Sequence, residues 1–217
     1  MGIFKRNLTS KILEKETTSI LASLKEPIHV LEIGCGDGNI SKNLAYLFPE
    51  NFYHASDISE ESILKAKLLD LDKKINFKIS SGLDVWKGQK FSLIICDIAS
   101  INQEIAELSE WYGGVNCETG PSGLELIIPI IKEVKQFLNV KGSFIIPVIS
   151  LSNTTKQEEA LNNIFKKVTY SKKVYWPLPQ DLIEKMKENQ ISFNSKNIQT
   201  KNKFDLIIAS TYSATCR

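Results

Sequence analysis

Residues 30 to 38 read Val30-Leu31-Glu32-Ile33-Gly34-Cys35-Gly36-Asp37-Gly38, and this stretch constrains the fold more than any other. An apolar run enters three glycines at alternate positions, and a helix-like pattern follows. Strand, glycine turn and helix in that order make a nucleotide cradle at the carboxyl end of a strand. A side chain at those glycines would keep a ligand from lying against the backbone. The spacing is E-x-G-x-G-x-G. It is not the G-x-G-x-x-G of dinucleotide binders, and no Lys-Ser or Lys-Thr pair follows as in a phosphate loop.

The rest of the chain alternates between strand and helix patterns. Strands are expected near 28–34, 51–56, 75–80, 91–97, 142–149, 168–175 and 204–211, and helices near 38–48, 59–71, 122–138, 155–167 and 180–189. Ser122 with Glu125, and Thr155 with Glu158, have capping-box spacing. Residues 1–25 predict one or two amphipathic helices with Ile12, Leu13, Ile20, Leu21 and Leu24 on the apolar face, ended by Pro27. The alternation predicts an α/β fold, a doubly wound, mostly parallel sheet of seven strands. A length of 217 residues suits a single domain with helices on both faces, 1–27 forming a helical cap and 28–217 the sheet. The N-terminal helices could close over the ligand as a lid or cover the sheet edge.

Charge and cysteine content narrow the function. The net charge is +2 and the only arginines are Arg6 and Arg217, which weighs against nucleic acid as a partner. Four cysteines, Cys35, Cys96, Cys117 and Cys216, form no C-x-x-C pair, and only His29 and His54 could join them, so no metal site is expected. No signal peptide and no apolar run long enough to cross a membrane are read, and a reduced cytoplasmic setting is expected.

Asp57 ends the second strand about 20 residues past the glycine turn, the distance of a ribose-binding carboxylate. It also suits a helix cap, because a helix pattern starts at Ser59. Asp97 ends the apolar strand Phe91–Cys96, beside the switch point between the first and fourth strands, and so lines the crevice.

Glycine motif, spaced acids and strand order together resemble the class I S-adenosylmethionine-dependent methyltransferases, across residues 28–211. The resemblance implies a Rossmann-like methyltransferase fold and S-adenosylmethionine as cofactor. It places Glu32 near the methionine portion and the backbone of Gly34, Cys35 and Gly36 around it, with Gly38 closing the motif. Asp57 and the adjacent Ile58 would hold the nucleoside. Asp84 would accept from the adenine amino group, with the N–H of Val85 facing the ring; the alternative for Asp84 is a turn aspartate. Asp97 would lie beside the reactive end of the cofactor, as a base or as a positioning group.

The segment Gly120-Pro121-Ser122-Gly123-Leu124-Glu125-Leu126-Ile127-Ile128-Pro129-Ile130-Ile131 resembles the G-x-D-G-L-x-x-I-x-x-I-I segment of release-factor glutamine methyltransferases, with Ser122 in place of Asp. That group carries N-P-P-Y after the fourth strand. This chain has Asp97-Ile98-Ala99-Ser100, which weighs against glutamine, adenine and guanine acceptors. Residues 98–121 would form the acceptor wall, with a short helix opening at Ser100 and ending at Trp111-Tyr112. Those two rings could stack on a substrate or anchor the loop on the core. Asp97 and Tyr112 are the catalytic candidates. The reading is N- or O-methylation of a small molecule by a monomer or homodimer. The alternatives are a protein or peptide amino-group methyltransferase, and an enzyme that cyclises or cleaves S-adenosylmethionine itself.

Overall fold

The centre of the sheet is fixed by strands whose residues are apolar on both faces. The computed structural model describes residues 8–111, 118–191 and 203–212. The elements run α1 (Leu8–Ala22), β1 (His29–Ile33), α2 (Asn39–Leu47), β2 (Phe52–Asp57), α3 (Glu60–Leu69), β3 (Ile75–Ile79), β4 (Phe91–Cys96), α4 (Gln103–Leu108), α5 (Ile127–Glu133), β5 (Leu138–Ile149), α6 (Thr154–Ile164), β6 (Lys167–Tyr170), β7 (Val174–Pro177), α7 (Gln180–Glu188) and β8 (Lys203–Tyr212). The sheet order is β3-β2-β1-β4-β5-β8-β6, with β7 also on β8. Strands β1 to β5 are parallel, and β8 enters antiparallel between β5 and the β6–β7 edge. The chain reverses its strand order between β1 and β4, where open α/β sheets bind their ligands.

The mostly parallel, doubly wound sheet agrees with the sequence pattern, and the differences have local causes. The strand expected at 168–175 is two segments. Tyr170 faces Ala209 and Val174 faces Leu206, so Ser171, Lys172 and Lys173 stand opposite only Ile207 and Ile208. This is a β-bulge, and Ser171 stabilises it: its Oγ accepts from the Ile208 N–H at 3.0 Å. The helix expected from 122 begins only at Ile127. Ser122 and Glu125 do bond, Oγ to Oε1 at 3.0 Å, but within a turn, where Gly120 and Gly123 have φ of +67° and +73°. Asn153, not Thr155, caps α6 by accepting from the Lys156 N–H at 3.1 Å. Asn102, not Ser100, caps α4.

Two apolar cores sandwich the sheet. One joins Leu13 and Leu21 of α1 to Leu44, Ile63 and the inward faces of β1–β3. The other joins Ile127, Ile131 and Leu161 of α5 and α6 to Leu31, Ile94 and Phe144. Parallel crossovers usually carry an α-helix, but the connection from β3 to β4 makes only a 3-10 turn, Asp84–Trp86. Trp86 fills the helix's place. It is fully buried, its indole N–H donates to Ser56 Oγ at 3.2 Å, and the Lys78 ammonium lies 4.3 Å over its ring. Edge contacts with Phe91 and His54 complete the cluster. Trp86→Ala is therefore expected to cost about 3–5 kcal/mol of stability, read as a lower urea midpoint at unchanged slope. Trp86→Phe, which keeps a ring and loses the N–H, should cost clearly less.

Candidate active site at the glycine turn

The turn after β1 is built from three left-handed glycines, Gly34, Gly36 and Gly38, with φ of +78°, +53° and +76°. The N–H groups of Gly34 and Cys35 both donate to the Ser56 carbonyl, at 2.8 and 3.0 Å, which ties the turn to the end of β2. The three glycines serve different needs. A Cβ on Gly34 would meet Ile98 Cγ2 at 2.5 Å and the Asp97 carbonyl oxygen at 2.9 Å, so this glycine lets β4's exit pass close by. A Cβ on Gly38 would meet the Phe77 ring at 3.0 Å, so this one lets α2 sit on the sheet. Only Gly36 faces open space, with nothing within 4 Å of a built Cβ. Gly36 borders open space, and the other two border protein.

Glu32 lies on β1 beneath this turn and is 1% exposed. Its Oε2 accepts from the Ser41 N–H at 3.0 Å and from the Ser41 hydroxyl. Gly38, the residue at the start of α2, offers no side-chain cap, so Glu32 caps the helix from the neighbouring strand. Burial, with the Asp97 and Asp57 charges adding, outweighs the Ser41 hydrogen bonds and raises the Glu32 pKa to about 8.

Asp57 reaches back to the turn. Its Oδ2 accepts from the Gly36 N–H at 2.8 Å and its Oδ1 from the Ser59 N–H at 2.9 Å. Ser59 itself caps α3, so the capping alternative for Asp57 is filled by another residue. Asp97 follows β4, and its Oδ2 accepts from Ser10 Oγ of α1 at 2.6 Å. Glu32, Asp37, Asp97, Ser10 and Asn39 line one cavity with the glycine turn. Cys35 is buried, and burial and the surrounding carboxylates push its thiol pKa up, which suits packing rather than reactivity.

The remaining expected residues are placed along the same rim or beyond it. Ile58 is 73% exposed just past Asp57. Asp84 is solvent-exposed in the turn after β3 and pairs with Lys87 at 2.7 Å. Val85 is half-buried, and its carbonyl accepts from Lys78 Nζ at 2.9 Å. Trp111 packs on Phe204 at 5.7 Å, an anchor on the core. Tyr112 lies outside the described residues, as do Cys117 and Cys216. Sequence reasoning missed Ser10, Asp37 and Asn39 as lining residues. Asp37 and Asn39 sit inside the motif and were open to view, whereas nothing in the sequence links Ser10 to Asp97 across 87 residues.

A family-level sequence description, "Methyltransferase domain", matches residues 24–189. The chain belongs to this methyltransferase family and is a class I S-adenosylmethionine-dependent enzyme. Solved structures share the fold at low identity. Ribosomal protein L11 methylase from Lactobacillus delbrueckii subsp. bulgaricus is 19% identical, with 93% of this chain and 79% of that chain covered and a TM-score of 0.55. Precorrin-6y C5,15-methyltransferase from Geobacter metallireducens GS-15 is 16% identical, with 96% and 93% covered and a TM-score of 0.58. The N-methyltransferase NodS from Bradyrhizobium japonicum WM9, in complex with S-adenosyl-L-homocysteine, is 13% identical, with 96% and 89% covered and a TM-score of 0.57. Among the described residues no helix is long and apolar enough to cross a membrane, and no three His, Cys, Asp or Glu side chains converge as a metal site would need.

The site residues fit the cofactor on two observations: open space beside Gly36, and a lining rich in carboxyl groups that suits a cationic ligand. The buried acid has a measurable signature. Between about 4.5 and about 8 the folded protein keeps the Glu32 proton that the unfolded chain has released, so stability falls as pH rises through that window. Glu32→Gln is expected to flatten this dependence in unfolding curves recorded from acid to alkaline pH, and to be the more stable form at the alkaline end.

Proposed function

We propose that the chain transfers the methyl group of S-adenosylmethionine to an amine or hydroxyl of a small molecule. The single observation that carries this reading is the carboxyl-lined cavity beside Gly36, set in a domain of the methyltransferase family. When bound, the sulfonium supplies an already activated methyl group, so alignment does much of the work. In this reading Asp57 accepts from the ribose hydroxyls, and the exposed Ile58 covers one face of the adenine. Asp84 accepts from the adenine amino group, with the Val85 N–H toward the ring. Glu32 and the turn Gly34–Gly38, Cys35 included, hold the methionine arm. Asp97 accepts a proton from the acceptor or fixes its orientation.

A small acceptor is favoured by α1, whose Ser10 bonds to Asp97 beside the glycine turn and lines the same cavity. Structural neighbours named for precorrin-6y and for ribosomal protein L11 keep the small-molecule and protein classes both in view. The decisive experiment is mass spectrometry of the protein with S-adenosylmethionine, first alone and then with a metabolite extract. S-adenosylhomocysteine formed only with extract, together with a methylated product, is the expected result. Release of methylthioadenosine without acceptor would mean that S-adenosylmethionine itself is the substrate. Gly36→Val should abolish turnover and cofactor binding while costing only about 1–2 kcal/mol of stability, the strain of a left-handed non-glycine residue.

A further inference from the structure

We propose that the foot of the sheet, at the amino ends of β1, β2 and β3, is a second ligand site, for a small planar aromatic anion. The charge it takes is a carboxylate or a phosphate carried on one or two rings. His29, Phe52 and Ile75 are the first residues of the three strands, so this site lies at the opposite end of the sheet from the glycine turn. It does not depend on the cofactor placement given above.

The opening exists because the crossover from β3 to β4 has no α-helix. Phe52, His54 and Ser56 alternate onto one face of β2. Trp86 covers the further part of that face, donating to Ser56 and touching His54 edge-on at 5.5 Å. It leaves the nearer part open. The register sets His29 opposite Phe52 and His54 opposite Asn76 there. These four side chains, with Lys73 and Lys74 from the turn before β3, line a cavity of about 310 Å³. That volume is at the lower end of the range for small-molecule sites.

The lining offers donors and no acid. Asn76 Nδ2 lies 3.4 Å from His54 Nδ1, and His54 Nε2 lies 3.2 Å from His29 Nδ1. An amide nitrogen only donates, so His54 accepts at Nδ1 and carries its proton on Nε2. His29 then accepts at Nδ1 and carries its own proton on Nε2, which has no partner among the described residues. Burial, with His29 and Lys78 adding, lowers the His54 pKa to about 4, so His54 stays neutral near neutral pH and the relay keeps its direction. Lys74 pairs with the exposed Asp72 at 3.4 Å, and Lys73 makes no ion pair among the described residues. No Asp or Glu lines the cavity.

The apolar part is a ring surface. His29 and Phe52 stack with centroids 4.8 Å apart and 19° between planes, and Phe52 is still 54% exposed. A planar aromatic ligand covers this surface, and an anionic substituent meets the His29 N–H and the lysine ammonium groups. A cation would find no carboxylate here, and a neutral apolar ligand would cover donors without pairing them.

The chain has two histidines and both line this cavity, so their imidazole signals in nuclear magnetic resonance spectra of histidine-labelled protein report on it directly. The probes are benzoate and phenyl phosphate, with benzamide as the uncharged control and cyclohexanecarboxylate as the control without an aromatic ring. Saturable shifts of both histidines with an aromatic anion are expected, unchanged when S-adenosylhomocysteine is also present. The tighter of the two anions identifies the acidic group. Both controls should bind about ten-fold more weakly. Phe52→Leu should weaken binding about five-fold, and Lys73→Asn about three-fold. Asparagine suits position 73 because its φ is +52°, so the charge is removed without added backbone strain. No saturable shift up to about 20 mM, equal binding of either control, or loss of binding when S-adenosylhomocysteine is added would overturn the proposal. Should Phe52→Leu fail to fold, Lys73→Asn and the four probes on the wild type still decide the outcome.

Discussion

One carboxyl group inside the protein, that of Glu32, organises the glycine turn and everything placed by it. Its position on β1 is buried on both sides, where an unpaired charge is costly. The cost is reduced by two donors from one residue, Ser41, whose backbone N–H belongs to the first turn of α2. Strand and helix are thereby joined through a side chain while the backbone between them is left to three glycines. Gly38 starts the helix in a left-handed conformation with no cap of its own, and it can do so because Glu32 supplies the acceptor.

A second pair of bonds locks the turn from the other side. Ser56 accepts from Gly34 and Cys35 through its carbonyl, and Asp57 accepts from Gly36 through its side chain. The turn after β1 is therefore held by the end of β2, and the acid proposed to meet the ribose also positions the glycine proposed to meet the arm. Asp97 extends the same arrangement to β4 and, through Ser10, to α1. Charge at this site is concentrated as acid and buried in part, which favours a ligand with positive charge over the neutral thioether left after methyl transfer.

The sheet and the turn were legible in the sequence because both rest on local patterns. Apolar runs gave β1 to β5, and alternating glycines gave the turn. Legibility failed where a single residue does the work of an element. The bulge at Ser171–Lys173 splits one expected strand through one extra residue, which no periodicity reports. Trp86 replaces a crossover helix by bulk and one hydrogen bond. Of the three glycines the motif singled out, two answer to Ile98, Asp97 and Phe77, partners distant in sequence, and only the folded chain distinguishes them from Gly36. Ser10 was hidden for the same reason: its partner is 87 residues away.

The most direct measurement is isothermal titration of S-adenosylmethionine near pH 7, repeated in buffers of different ionisation enthalpy. At that pH Glu32, with its pKa raised to about 8, is mostly protonated, and a cation seated against it should expel the proton. Saturable one-to-one binding with buffer-dependent heat, the signature of proton release, is the expected result. Binding without proton exchange would contradict the central place given to Glu32, and no binding would contradict the site.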